Sequence, residues 1–176
     1  LGIVLYFPSK YELDIISRYL ICFEKIFLYF NSEINEKLSN HRLFKSKSVY
    51  CYGKFINKGL SKPYNLFIQK CKLYNIPYLL ILDQDSIFPI YQNIDNLYRI
   101  ENNSIPSDSA LICLRHYSKT QAFDLIQNKS ISFDFKQIYF NINSGSIIVI
   151  DKLLELGGYD ESFFVDRVDI DICRTI

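Results

Sequence analysis

Short apolar runs of strand length alternate along this chain with segments whose apolar residues recur at helical spacing, and this alternation constrains the fold more than any other feature. Six such runs predict strands at residues 2–7, 25–30, 48–53, 78–82, 110–114 and 145–150. Several are apolar along their whole length, which is typical of strands buried on both faces of a parallel sheet. The order of strands and helices therefore predicts a single α/β domain with a mostly parallel sheet flanked by helices.

Local signals place helices between these strands. Ser9 and Glu12 have the spacing of a capping box, which predicts a helix start near residue 10. The apolar face of this helix is predicted to comprise Ile15, Ile16, Tyr19 and Leu20. Helical spacing returns from residue 61 to 74, where the buried stripe is predicted to comprise Tyr64, Phe67, Ile68 and Cys71. A shorter helix is expected to have Asp151 as its N-terminal cap and to end at the Gly157-Gly158 pair.

Composition and charge exclude several classes of protein. The 176 residues fit one domain, and 49% of them are hydrophobic, which is enough for a sizeable core. A formal net charge of +1 leaves no basic excess to neutralise phosphates, so no nucleic-acid partner is expected. No apolar run approaches the roughly 20 residues of a membrane span, and no signal peptide is recognisable. Together these features predict a cytoplasmic protein.

The cysteines and the ends of the chain add two further expectations. The five cysteines are expected to be buried free thiols in a reducing compartment, because their count is odd and their spacing is wide. The same spacing argues against a zinc site. The chain contains no methionine, even at position 1, and its last residues fall inside a predicted helix. We therefore expect residues 1–176 to form one domain that is truncated at both ends.

Two aspartates separated by one residue, Asp83 and Asp85, follow the predicted strand at residues 78–82. In open α/β sheets, ligands bind beyond the carboxyl ends of the strands. Neighbouring carboxylates repel each other, and a hard divalent cation such as Mg²⁺ or Mn²⁺ relieves that repulsion while keeping positions for water and substrate phosphates. The alternative is structural: the strand ends in a polar loop, and Asp85 with Ser86 caps the next helix.

Four segments, taken in chain order, resemble family 2 glycosyltransferases of the GT-A fold, and among them the rhamnosyltransferase-like branch. The first, NKGLSKPYN from Asn57 to Asn65, is similar to the branch's N-x-G-x-[AS]-x-x-x-N pattern. The second is DQDS from Asp83, and the third is an SG pair at residues 144–145. The fourth contains GGYDE from Gly157 and FVDRVD from Phe164, which resemble the branch's G-G-[FY]-D-E and F-[IV]-D-x-V-D elements.

The resemblance implies a GT-A fold with a Rossmann-like sheet and an inverting glycosyltransferase. Such an enzyme moves a sugar, rhamnose in the branch named, from a dTDP- or UDP-sugar to a hydroxyl group. The acceptor would be a glycan or a lipid-linked molecule in surface polysaccharide synthesis, and the cofactor would be Mg²⁺ or Mn²⁺. A lipid-linked acceptor would bring the enzyme to the inner face of the membrane as a peripheral protein.

The roles of the site residues are carried over from the matching motif positions. Asp85, together with Asp83, would bind the metal, and Asp83 would also lie near the ribose and diphosphate of the donor. Asp169 stands at the position of the catalytic base in the family's E-D element, and Asp166 and Asp171 remain alternative bases. Further contacts to the donor are expected from Tyr6, Asn31, Asn57, Gly59, Ser144 and Gly145.

Departures from the family pattern keep other functions open. Phe30 stands where the branch usually has the aspartate that contacts the base of the nucleotide. The alternative function is therefore a degenerate or truncated paralogue without turnover. A nucleotidyltransferase ranks last, because YFPSKYEL lacks the glycine-rich loop that such enzymes carry after the first strand. Arg115 and Lys119 are candidates to reach a phosphate, whereas His41 and His116 are expected to be surface or loop residues.

Overall fold

The computed structural model describes residues 1–88, 109–114 and 139–176. The strands are β1 (Gly2–Leu5), β2 (Ile26–Phe30), β3 (Val49–Tyr52), β4 (Tyr78–Asp83), β5 (Leu111–Cys113) and β6 (Ser146–Val149). The α-helices are α1 (Lys10–Arg18), α2 (Glu36–Ser39), α3 (Ser61–Leu73), α4 (Ile150–Glu155) and α5 (Val168–Thr175). Short 3-10 helices lie at Tyr19–Ile21 and Arg42–Lys45. All six predicted strands are present, with bounds that differ from the predicted ones by one or two residues.

The described strands form one sheet in the order β3-β2-β1-β4-β6-β5. Strands β1 to β4 pair in parallel, as predicted, so their carboxyl ends lie at the same edge, which we call the carboxyl edge. Strand β6 runs antiparallel to both β4 and β5. The start of β6 therefore also lies at the carboxyl edge, and the residues that precede it join the loops of the parallel strands there.

The two faces of the sheet are covered by different helices, because strand side chains alternate between faces. One core joins α1 to the sheet through Ile3, Leu5, Leu13, Ile16 and Leu28. A second core joins α3, α4 and α5 to the sheet through Phe27, Phe67, Ile81, Leu153 and Ile172. The result is a three-layer α/β domain in which helices flank a mostly parallel sheet, as the sequence predicts.

The starts of the two longest predicted helices are confirmed, and so is the buried stripe of the second. On the first, Ile15 and Ile16 are buried in α1, but Tyr19 and the half-buried Leu20 lie in the 3-10 helix that follows it. The Ser9 hydroxyl accepts a hydrogen bond from the Glu12 N–H at 3.3 Å, and the Glu12 carboxylate accepts one from the Ser9 N–H at 2.5 Å. This capping box starts α1 at Lys10. The predicted stripe on α3 is fully buried. Helix α3 lies close to β1, since a Cβ at Gly2 would be 2.8 Å from the Phe67 ring.

The predicted cap of the fourth helix is wrong. Helix α4 begins at Ile150, and its N-cap residue, Val149, makes no side-chain capping bond. Asp151 instead lies in the first turn, where its carboxylate accepts a hydrogen bond from the Lys72 ammonium at 2.8 Å. The predicted helix end is confirmed in kind: α4 stops at Glu155, and the Gly157-Gly158 pair has positive φ angles of 92° and 79°.

One expectation about the cysteines also needs correction. All five are free thiols, and Cys71 is buried, but Cys51 is exposed. Among the described strands, β3, which carries Cys51, is outermost in the sheet, so one of its sides has no neighbour among them. Among residues 1–88, 109–114 and 139–176, no helix is long and apolar enough to cross a membrane.

Candidate active site

The D-Q-D segment lies at the end of β4, near the middle of the carboxyl edge. Asp83 is the last residue of β4 and pairs with Val4 of β1, and both Asp83 and Asp85 are exposed. By the alternation of strand side chains, Asp83 belongs to the face of the sheet that α3 covers. Burial raises the pKa of Tyr64 on α3, and the carboxylates of Asp83 and Asp169 raise it further. Tyr64 therefore lies near both carboxylates.

Gln84, between the two aspartates, fixes this segment to the end of β1. Its Oε1 accepts a hydrogen bond from the Tyr6 N–H at 2.8 Å, and its Nε2 donates to the Tyr6 carbonyl at 3.1 Å. Nε2 also lies 3.1 Å from the Glu12 carboxylate and donates to it. One side chain thus satisfies a backbone donor and acceptor beyond β1. The sequence marked this position only as the residue between two aspartates.

The two residues at positions 143 and 144 connect the D-Q-D segment to α5. The Ser144 hydroxyl oxygen accepts a hydrogen bond from the Asp83 N–H at 3.0 Å and lies 2.8 Å from the Ser86 hydroxyl oxygen. The Asn143 side-chain amide donates to the Asp169 carboxylate. Consecutive residues therefore hold the predicted metal-binding segment and the predicted base at one place. Asn143 was not singled out as a site residue, although it directly precedes the SG pair.

Asp169 lies in the first turn of α5 together with Asp171, where negative charge is favourable to the helix dipole. It is half-buried, and this burial raises the pKa of its carboxyl group, while hydrogen bonds from Asn143 act in the opposite direction. Asp166 is exposed in the turn that leads into α5. Of the three carboxylates considered as bases, Asp169 is the one that contacts Asn143.

Asn31 and the loop before α3 form a neighbouring wall. The buried Asn31 amide donates to the Gly59 carbonyl at 2.7 Å, and its oxygen accepts from the Lys58 N–H at 2.9 Å. The Asn57 side chain accepts from the Gly59 N–H at 3.0 Å. Gly59 has φ +71°, and a Cβ there would be 2.0 Å from the Phe164 carbonyl oxygen. The side chains of Asn31 and Asn57 thus shape this loop.

Helix α3 holds the segment that leads into α5. The Ser61 hydroxyl donates to the Phe163 carbonyl at 2.7 Å. The Asn65 amide donates to the Tyr159 carbonyl at 2.8 Å, and its oxygen accepts from the Tyr159 N–H at 2.9 Å. The spacing of the N-x-G-x-S-x-x-x-N residues therefore has a structural reason: together they position the entry to α5, and with it Asp169.

Aromatic side chains and one glycine complete the carboxyl edge. Tyr6 and Phe7 follow β1 with 50% and 67% of their surface exposed, and their rings form an edge-to-face pair with centroids 4.7 Å apart. The Phe7 N–H donates to the Ser32 hydroxyl at 2.5 Å. Gly145 has φ +80°, and its N–H donates to the Ile81 carbonyl at 2.8 Å. The exposed rings are able to stack on a base or a sugar.

An apolar cavity of about 480 Å³ opens beside the ends of β2 and β3. This volume falls in the range of small-molecule sites. Its lining comprises Phe30, Glu33, Ile34, Ser39, Phe44, Cys51 and Phe55. The rings of Phe44 and Phe55 each lie 5.6 Å from that of Phe30, measured between centroids. Phe30 therefore lies in an aromatic cluster at the end of β2.

The donor set of the D-Q-D segment fits one kind of metal site. Across the described parts of the chain, no group of three or more His, Cys, Asp or Glu side chains is arranged to hold a metal ion. A site enclosed by protein ligands alone is therefore not formed by these residues. Two exposed carboxylates fit a hard cation that completes its coordination with water and substrate phosphates.

Of the remaining predicted positions, His41 is among the described residues and three others are not. Arg115, His116 and Lys119 lie outside the described residues. The His41 backbone lies in a loop, as predicted, but its imidazole is largely buried, with a side-chain exposure of 8%. Its Nε2 lies 3.2 Å from an Asp14 carboxylate oxygen, and its Nδ1 accepts a hydrogen bond from the Leu43 N–H. This imidazole therefore connects α1 to the 3-10 helix at Arg42–Lys45.

The chain matches no model of a known protein family and no curated protein.

Proposed function

We propose that this chain is a metal-dependent, inverting glycosyltransferase domain of the GT-A type, which transfers a sugar from a dTDP- or UDP-sugar to a hydroxyl of a glycan or lipid-linked acceptor. The observation that carries the proposal is the link through residues 143 and 144. Ser144 binds the backbone of Asp83, and Asn143 binds the carboxylate of Asp169. One donor and one acceptor can react between a catalytic base and a diphosphate site only if these two sites are neighbours.

Asp169 is the proposed catalytic base. In an inverting transfer, a carboxylate accepts the proton of the acceptor hydroxyl while that oxygen attacks the anomeric carbon and the bond to the nucleoside diphosphate breaks. Burial raises the pKa of Asp169, which makes its carboxylate a stronger base than an exposed one. The exposed Asp166 and the neighbouring Asp171 lack the contact to Asn143 that supports this role for Asp169.

Asp83 and Asp85 are the proposed ligands of Mg²⁺ or Mn²⁺. When bound, such a cation would stabilise negative charge on the departing diphosphate. The chain's own contribution is to keep both carboxylates at the carboxyl edge, since Gln84 ties the segment to β1 and Ser144 ties it to the start of β6. The donor base would stack against the exposed ring of Tyr6.

A titration tests the donor site. UDP and dTDP are added to the purified protein by isothermal titration calorimetry, with and without Mn²⁺, and the experiment is repeated with Asp85→Asn. We expect Mn²⁺-dependent binding that weakens by about tenfold or more in the variant, because a carboxylate ligand is lost. Asp151→Asn is the matched control, since Asp151 is an exposed aspartate on α4, paired with Lys72, and should leave binding unchanged.

The aromatic cluster around Phe30 supports a second candidate, a degenerate paralogue that turns nothing over. The same titration separates the two candidates. Absence of nucleotide binding in a sample whose circular dichroism shows folded protein would reject a working donor site and favour the degenerate paralogue. Binding that does not depend on Mn²⁺ would reject the metal role of Asp83 and Asp85.

A further inference from the structure

We infer that Asn143 and Tyr159 are positioning residues for Asp169, forming a buried hydrogen-bonded chain that fixes the orientation of this carboxylate at the carboxyl edge. The inference rests on the proposed function, in which Asp169 is the base. Neither Asn143 nor Tyr159 belongs to the residues that the sequence predicts to touch the donor or the metal. Both act through Asp169.

Each atom in this hydrogen-bonded chain has a defined role as a donor or an acceptor. The Tyr159 hydroxyl donates to the Asn143 side-chain oxygen at 2.9 Å, and the Asn143 amide nitrogen donates to Asp169. An ionised carboxylate only accepts hydrogen bonds, so the amide nitrogen must face Asp169 and the amide oxygen must face the phenol. The phenol is then required to donate. The charge on Asp169 thus determines the orientation of the whole chain of groups.

Burial and packing keep these groups in place. Tyr159 and Asn143 have only 3% and 4% of their surface exposed. Asn65 binds both the N–H and the carbonyl of Tyr159, and the Tyr159 ring packs against that of Tyr64 with centroids 5.2 Å apart. Because Tyr159 is held by both its backbone and its ring, its hydroxyl is fixed relative to the sheet. The hydrogen bond from this hydroxyl then positions the Asn143 side chain.

The two phenols near Asp169 keep their protons at neutral pH. Burial raises the pKa of Tyr159 far above its ordinary 10, and burial also raises the pKa of Tyr64, so both phenols stay neutral and Tyr159 remains a donor. The carboxylates of Asp83 and Asp169 both raise the pKa of Tyr64 further. Cys173 on α5 donates its S–H to the Asn141 carbonyl. No cation is required to hold Asp169 in this arrangement of the described residues, since the amide of Asn143 does so.

The direct test is a nuclear magnetic resonance titration of the Asp169 carboxyl carbon in protein labelled with ¹³C-aspartate. Asn143→Ala removes the donor to the carboxylate, so we expect the pKa of Asp169 to rise. Tyr159→Phe removes one hydroxyl, frees the Asn143 amide to rotate, and should move the same pKa upward by less. Ser17→Ala is the control: it deletes another buried hydroxyl, which donates to the Leu13 carbonyl within α1, on the opposite face of the sheet. The control should leave Asp169 unchanged.

A second readout is the release of nucleotide from dTDP- and UDP-sugars in Mn²⁺, with water as acceptor. Tyr159→Phe should lower kcat by on the order of tenfold and shift the acid limb of the pH–rate profile upward, with KM for the donor unchanged. An unchanged Asp169 titration in Tyr159→Phe, which preserves shape and therefore folding, would overturn the inference. Absence of nucleotide release in the wild type would instead reject the proposed function, and the titration would still decide the positioning of Asp169.

Discussion

Gly59 illustrates how a single position is decided by the approach of two backbones. Its φ of +71° favours glycine, and the Phe164 carbonyl leaves no room for a Cβ. Gly157 has a similarly positive φ of +92°, but nothing lies within 4 Å of the place where its Cβ would be. The two glycines therefore separate the cost of a left-handed backbone from the cost of a steric clash.

Replacement of each glycine by alanine measures that difference. We expect Gly157→Ala to lower the free energy of unfolding by about 1–2 kcal/mol, the cost of a left-handed backbone for an L residue. Gly59→Ala should lower it by about 3–5 kcal/mol, because the loop before α3 must also move away from the segment that leads to α5. Urea unfolding followed by circular dichroism gives both numbers. Equal losses would show that the contact between Gly59 and Phe164 is not maintained in solution.

At the residue scale, the sequence singles out the carboxylates of the candidate site but not the groups that hold them. Aspartates after a buried strand stand out because charge follows an apolar run. Gln84 and Asn143 do not stand out, because an amide in a loop is common and its partners are distant in sequence. Phe30 was recognised as a departure from the family pattern, but the ring cluster around it depends on Phe44 and Phe55, which only the folded loops bring near.

At the scale of elements, the capping box of α1 is a local device whose contribution is measurable. Ser9→Ala removes the hydroxyl that accepts the Glu12 N–H, and we expect a loss of about 1 kcal/mol in the free energy of unfolding. Ser39→Ala in the exposed, four-residue α2 is a suitable control and should cost less than about 0.5 kcal/mol. Urea denaturation at neutral pH gives both values. A Ser9→Ala loss no larger than that of the control would mean that packing alone starts the helix.

The elements with local signals are the ones that the sequence predicted well. Helices α1 and α3 have a cap or a first-turn proline together with an apolar stripe, and both signals are visible without a partner. The start of α4 was mispredicted because Asp151 is bound by Lys72 on α3, which is a tertiary contact. The direction of β6 was beyond reach for a similar reason: an apolar run has no polarity, and strand direction is decided by the connections on either side.

At the scale of the whole molecule, burial of the ionised Asp169 carboxylate lowers the stability of the folded domain. Because its folded pKa lies above its ordinary 3.8, the fold prefers the protonated carboxyl group. Its contribution is therefore most favourable below pH 3.8 and declines as the pH rises through its raised pKa. Asp14 acts oppositely: hydrogen bonds from Lys10 and His41 lower its pKa, so its contribution is present above pH 3.8 and is lost in acid.

Asp169→Asn tests this cost directly. Asparagine keeps a hydrogen-bond acceptor for Asn143 but carries no charge, so we expect the variant to be more stable than the wild type at pH 7, by less than about 1 kcal/mol because the group is half exposed. The gain should shrink as the pH falls toward 4. Urea midpoints measured between pH 4 and 7 give the comparison. A variant that is less stable at pH 7 would show that the ionised carboxylate stabilises the fold.

The antiparallel direction of β6 has a consequence for how the chain tolerates changes in length. From Asn143 the chain leaves the carboxyl edge along β6, enters α4 at the opposite edge, and returns over the face that α3 covers to α5, where Asp169 contacts Asn143. The two ends of this stretch are joined by the hydrogen bond from the Asn143 amide to the Asp169 carboxylate. On the returning half, Asn65 of α3 donates to the Tyr159 carbonyl and Ser61 donates to the Phe163 carbonyl. The number of residues between Asn143 and Asp169 is therefore constrained by contacts at both ends of this stretch and along its returning half.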